Sequence, residues 1–314
     1  MISLGHVYLL AGIVFALFAL LGLYDRSNPK RFGNAAFWGL VATAMIAGDY
    51  LGDFGNGLLV LALVAIAGTG QIGRAPGGEI PVEVQAERAA KYGNFLLLVA
   101  LIIPAVALIG TFLFKEIPGL ADPKQATLIS LAFGVLIALG VGMARLKPPA
   151  LLPLQQGGRL LDSVGWAAIL PQMLASLGAV FALAGVGDVV GGLIGTAIPQ
   201  GSLFGAVLAF GLGMALFTMV MGNAFAAFPV MLAAVGMPLL IKQHGGDPAV
   251  VAAIGMLAGF CGTLMTPMAA NFNLVPAALL ELKNPYGVIK AQIGTAVPLL
   301  AVNIVFIYVF AFKL

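Results

Sequence analysis

The chain reads as an all-α polytopic membrane protein with about eight transmembrane helices, a re-entrant hairpin and one broken helix, and with room for an inverted repeat. Three observations predict this. Apolar residues make up 61% of 314 positions and charged residues only 9%, and mean hydropathy is +1.08, a composition outside the soluble range. Apolar runs long enough to cross about 30 Å of hydrocarbon recur along the chain. Two of those runs are interrupted by polar, proline-marked stretches, Gly222–Pro229 and Thr266–Asn273.

In order, crossings are expected at Leu4–Leu23, Phe32–Gly48, Gly57–Gly70, Phe95–Phe114 and Ala126–Met143, which make up an N-terminal half of five helices over residues 1–160. The first run lacks a preceding basic region and a clear cleavage signal, so it reads as a retained helix. Arg26, Lys30, Arg31, Arg74, Arg88, Lys91, Arg145, Lys147 and Arg159 fall in alternate loops, whereas the intervening loops hold Lys115 and Lys124, with Asp49 and Asp53 in one of them. The positive-inside rule then places the N-terminus outside the cytoplasm.

In the C-terminal half, residues 161–314, Val164–Ala184 is expected to cross and Gly185–Ile198 to lie as an interfacial arm. Leu203–Ile241 reads as two apolar stretches meeting at Gly222-Asn223, the second short enough to suggest a re-entrant hairpin. Ala249–Leu282 reads as one crossing broken at Thr266–Asn273, and Thr295–Phe312 as the last. Ala47–Asp53 and Ala184–Asp188 echo one another across an odd number of crossings, the signature of an inverted repeat; chance similarity between glycine-rich segments is the alternative.

A backbone break at membrane depth survives only where protein or a water-filled cavity covers it, because each unsatisfied amide or carbonyl costs several kcal/mol there. Both breaks are therefore candidate ligand sites. Half-helix N-termini favour an anion and C-terminal carbonyls a cation. Asn223, Thr263, Thr266, Asn271 and Asn273 add neutral donors and acceptors, with Gln71 as the first-half candidate and Gln172 a similar one. Gly222, Pro229 and Pro267 are the structural breaks. The competing readings are packing: asparagines that bridge helices, threonines that bond their own backbone, prolines that kink. Asp49, Asp53 and Asp188 read as interfacial caps, and Glu281, Lys283 and Lys290 as the solvated end of the broken helix.

No basic run interleaves with aromatics, so nucleic acid is not an expected partner. Cys261 is the sole cysteine, and His6 and His244 are far apart, so no metal site is expected. Hydrolase, zincin and phosphate-loop signatures are missing, and no enzyme activity is expected.

The runs Phe225-Ala226-Ala227-Phe228-Pro229, Gly262-Thr263-Leu264-Met265-Thr266-Pro267-Met268-Ala269-Ala270-Asn271-Phe272-Asn273 and Val275-Pro276-Ala277-Ala278-Leu279-Leu280-Glu281, with the early Asn28-Pro29-Lys30-Arg31 and Phe37-Trp38-Gly39-Leu40, resemble the bacterial membrane family catalogued as domain of unknown function 979. The resemblance covers essentially the whole chain. It implies genes beside a second small polytopic membrane protein and a peptidase that removes N-terminal pyroglutamate, hence a carrier or carrier subunit for 5-oxoproline or a related small carboxylate. The paired breaks are also similar to the Ser-Asn-Thr signatures of the ion transporter superfamily of carboxylate carriers. Here, however, Asn223 lies between glycine and alanine, and the second break reads Thr-Pro-Met-Ala-Ala-Asn. The expectation is a secondary transporter of a small organic anion, coupled to Na⁺ or protons, without other cofactors, and assembled with a second membrane protein or as a homo-oligomer. A non-transporting scaffold or regulatory subunit and a passive channel are the alternatives.

Overall fold

The computed structural model describes residues 1–74, 82–117, 119–197, 199 and 201–312. Ile198, the last residue of the expected interfacial arm, lies outside them. The described chain is helical, and its one β-bridge pairs Ile2 with Ala121. Eight helical stretches among the described residues are long and apolar enough to cross a membrane, as an all-α polytopic membrane protein requires. Two compact units divide the chain, Met1–Ser163 and Val164–Leu314.

The first unit holds α1 (Leu4–Tyr24), α2 (Arg31–Gly68), α3 (Val82–Tyr92), α4 (Phe95–Glu116), α5 (Ala126–Leu146) and α6 (Leu152–Val164). As a straight rod, the 38 residues of α2 would run to about 57 Å, nearly twice the hydrocarbon thickness. The chain instead turns at Gly52, whose φ of +61° and ψ of −179° are open to glycine and costly for other residues. Asn56 Nδ2 donates to Gly48 O across the turn at 2.8 Å. The far ends meet again, where Asn34 exchanges two hydrogen bonds with the Gly73 backbone, at 2.8 and 3.0 Å. The two arms correspond to the apolar runs expected at Phe32–Gly48 and Gly57–Gly70.

α4 and α5 form a second antiparallel pair: Gly110 faces Ser130, Gly134 faces the Ile103 backbone, and the Arg145 guanidinium sits 6.0 Å over the Phe95 ring. Ile2 N donates to Leu120 O at 2.8 Å, tying the start of α1 to the loop after α4. The loop cations Arg26, Lys30, Arg31, Arg74, Arg145 and Lys147 thus gather at one end of this unit, with Asp49, Asp53, Lys115 and Lys124 at the other.

An aromatic ladder closes the cationic end. Trp38 stacks on Phe15 at 5.6 Å, Phe37 meets Trp38 edge-on, and Phe15 meets Phe18. Trp38 Nε1 donates to Asp162 Oδ1 at 2.8 Å, fixing α6 to the ladder. Trp38→Phe keeps the stack and removes the bond, so thermal unfolding in detergent is expected to show a loss of about 1.5–3 kcal/mol. An unchanged transition would mean that the bond does not hold α6.

The second unit holds α7 (Leu170–Leu183), α8 (Val186–Ala197), α9 (Leu203–Met221), α10 (Ala224–Met231), a π-helical continuation (Leu232–Gln243), α11 (Pro248–Thr263), α12 (Ala270–Leu279) and α13 (Gly287–Phe310). One expectation changes here, the length of the second hairpin arm, and two others gain local detail. The crossing expected at Val164–Ala184 is interrupted: Gly165, at φ +61°, opens a 3₁₀ turn over Gly165–Ala168 and leaves α7 only 14 residues. α8 packs along the hairpin, Gly187 against Ala233 and Gly191 against the Ala234 backbone. The second hairpin arm, expected to be short, runs 20 residues from Ala224 to Gln243, because winding past Pro238 in a π register keeps it helical. Half of that arm's most apolar window is buried, against 6% for α4, so the arm is enclosed by protein while α4 presents its surface outward. Phe210, Met214, Val235, Leu240, Val251 and Ile307 form the core around it.

Candidate functional site

α9 and α10 with its π continuation form an antiparallel hairpin whose tip is Gly222-Asn223: Gly213 faces the Met231 methyl group, and Gly236 faces the Phe210 ring. α11 runs parallel to α9. Gly255 lies against the Phe210 ring and Gly262 against the Ala215 backbone, and Thr266 Oγ1 donates to Met219 O at 2.8 Å. Two parallel helices that both break at their C-terminal ends bring those breaks together.

They touch directly. Gly222 has φ +72°, and a Cβ placed there would fall 2.7 Å from the Met268 carbonyl carbon. At this one place α9 and α11 end while α10 and α12 begin, so two sets of terminal carbonyls lie beside two sets of unpaired amides. The arrangement can therefore meet both signs of charge without burying an ionised side chain.

The sequence-predicted residues divide by role. Asn223 is half-buried and caps α10, its Oδ1 accepting from Phe225 N at 2.8 Å; its Nδ2 has no partner among the described residues. Asn273 is fully buried, and its Nδ2 donates to Thr263 O at 2.8 Å and Thr266 O at 2.7 Å, stapling the two carbonyls that the break frees. Asn271, two residues earlier on α12, is exposed. Thr263 Oγ1 donates to Phe260 O at 2.6 Å, the backbone bonding usual for threonine in a helix. Thr266 works twice, also accepting from Met268 N at 3.2 Å.

The structural breaks also differ. Pro267 is exposed in the link between α11 and α12. Pro229 sits inside α10 and leaves its helix intact. The α12 N-terminus has no side-chain cap, and Ala269 and Ala270 around it are fully buried, so its first amides stand open inside protein. Gln71 belongs to the first unit, exposed at the end of α2 with its backbone against Gly33. Gln172 lies on α7.

Among the described residues three buried side-chain oxygens have no hydrogen-bond partner: Asn273 Oδ1 and Thr218 Oγ1 beside the breaks, and Gln292 Oε1 on α13. Sequence reasoning missed Thr218, whose hydroxyl on α9 faces Gly259 of α11. The signal available was its position one turn before the Gly222 break, on a helix otherwise without hydroxyls after Ser202.

No curated protein and no solved structure matches the chain. The family model described as protein of unknown function (DUF979) matches residues 5–312, nearly the whole length over which these paired breaks are framed, and the chain belongs to that family.

Proposed function

We propose that the protein is a secondary transporter, or one subunit of a two-component transporter, for a small organic anion bound where the hairpin tip meets the broken helix. The observation that supports this most directly is the contact of Gly222 with the Met268 backbone, which joins two helix breaks at one depth. Breaks of this kind are tolerated in membranes where they line a site. The substrate's carboxylate meets the uncapped amides of α12, with Asn271 and the free Nδ2 of Asn223 as side-chain donors. The unpartnered Asn273 Oδ1 and Thr218 Oγ1 are oxygen ligands of the kind Na⁺ takes, and coupling to its gradient follows. In this reading the hairpin re-enters from one face, the halves form an inverted repeat about the turns at Gly52 and Gly185, and the cationic end of the first unit faces the cytoplasm.

The deciding experiment is uptake of labelled 5-oxoproline and other small carboxylates into proteoliposomes, with and without the neighbouring polytopic membrane protein. Gradient-dependent uptake is expected. Uptake of none of them in either arrangement overturns the transport reading, and flux indifferent to every ion gradient makes the protein a passive pore. Asn271→Ala removes an exposed carboxamide and no structural bond. It is expected to weaken substrate-induced thermal stabilisation, with affinity falling about 10-fold, the worth of one hydrogen bond to a charged group, while leaving the ligand-free transition in place. The reverse pattern, a lower transition with affinity intact, would assign Asn271 to packing.

A further inference from the structure

A cavity of about 310 Å³ opens in the first unit between the end of α1 and α6, far in sequence from either helix break. Asp25, Arg159 and Asp162 line it, with Gln155 and Tyr24 beside them. Its inner wall is apolar: Phe18, Leu21 and Leu154. The paired glycines Gly157 and Gly158 let α6 approach the Phe18 ring, so the aromatic ladder forms its floor.

The charges are arranged in an unusual way. Each aspartate has one oxygen occupied by a neutral donor. Asp162 Oδ1 accepts from Trp38 Nε1, and Asp25 Oδ1 accepts from Ser27 N at 3.0 Å and from the Ser27 hydroxyl. The Ser27 hydroxyl holds the Asp25 carboxyl below its ordinary range, and the field of Arg159 acts in the same direction. Yet no ion pair joins Arg159 to either aspartate among the described residues. Opposite charges thus line one cavity without closing on each other, and neutral donors hold both carboxyl groups in place, Asn34 acting on Asp162 beside Trp38. The last carbonyls of α1, at Leu21 to Tyr24, add the partial negative charge of a helix C-terminus. A primary ammonium suits that end of the cavity and an acidic group suits the Arg159 side.

We propose that this cavity binds the head of an aminophospholipid, its ammonium between Asp25 and Asp162 and its phosphate toward Arg159. A lipid is favoured over a free zwitterion by the apolar wall. Phe18 and Leu21 continue along α1 into the exposed Leu17 and Leu20, a surface that an acyl chain covers and a soluble zwitterion does not. Tyr24, 80% exposed at the end of α1, sits where interfacial aromatics meet head groups. The recognition is independent of the proposed transport site, which lies in the other unit.

Trp38 reports on the site, being bonded to Asp162. The chain has two tryptophans, so a full-length Trp166→Phe variant in detergent leaves Trp38 as the sole indole. It is titrated with short-chain phosphatidylethanolamine, with phosphatidylcholine and phosphatidylglycerol of the same chains, and with O-phosphoethanolamine. The expected result is a saturable change in Trp38 emission with phosphatidylethanolamine, at an affinity about 10-fold or more above the other two lipids, since choline has no N–H to donate and glycerol no charge. Asp162→Asn and Asp25→Asn are each expected to erase that preference; Asp25 lies in a loop, so its variant serves if the other fails to fold. Equal responses to all three lipids overturn the proposal, as does O-phosphoethanolamine binding as tightly as the lipid.

Discussion

Gly222→Val is expected to destabilise the protein by about 2–5 kcal/mol and to abolish the proposed transport. Two costs add. A non-glycine residue at the φ of +72° found here costs about 1–2 kcal/mol, and β-branching gives the backbone less freedom to adjust. The new side chain also has nowhere to go, because a Cβ alone falls 2.7 Å from the Met268 carbonyl carbon; forcing atoms into a filled site costs about 1–3 kcal/mol more. Relief requires the hairpin tip to move off the broken helix, which takes apart the proposed site. Gly222→Ala carries most of the same penalty, so thermal unfolding and uptake should fall in the order glycine, alanine, valine. A neutral Gly222→Ala would show that the two breaks are not held in contact.

The second large effect is at Asn273. Replacing it with leucine keeps the side chain's branched shape, in a somewhat larger volume, but strips two donors from Thr263 O and Thr266 O, carbonyls freed by the break and shut away from water. A buried acceptor left unmade costs about 1–3 kcal/mol. Membrane helices recover part of that through other partners, and leucine also removes the unpartnered Oδ1, so a net loss of about 2–4 kcal/mol is expected. Asn273→Asp should be worse than leucine, because it sets carboxylate oxygens against two carbonyl oxygens where the carboxamide offered N–H. If aspartate is tolerated as well as leucine, the staple does not hold the break. Circular dichroism melts in detergent distinguish the two.

Much of the fold was legible because hydrocarbon imposes few solutions. Apolar runs, cationic loops and glycine turns sufficed to place the hairpin within α2, the α4–α5 pair and the Gly222-Asn223 tip. Sequence also located both helix breaks. It could not show that they touch, since that depends on α9 and α11 running parallel, a relation set by side chains such as Phe210 against Gly255. Nor could it separate Asn271 from Asn273: two residues apart, they lie on different faces of α12, one exposed and one buried. The second hairpin arm was expected to be short, whereas a π register that accommodates Pro238 carries it on to Gln243. The cavity beside Asp162 was invisible for the same kind of reason, since Trp38 and Asp162 are 124 residues apart.

The Asn273 staple has a thermodynamic side. Holding a break in one conformation costs entropy, about 1–2 kcal/mol per residue fixed, and here the hydrogen bonds to Thr263 O and Thr266 O meet that cost during folding. On the proposed reading an anion finds donors already ordered, and its affinity is not reduced by having to arrange them.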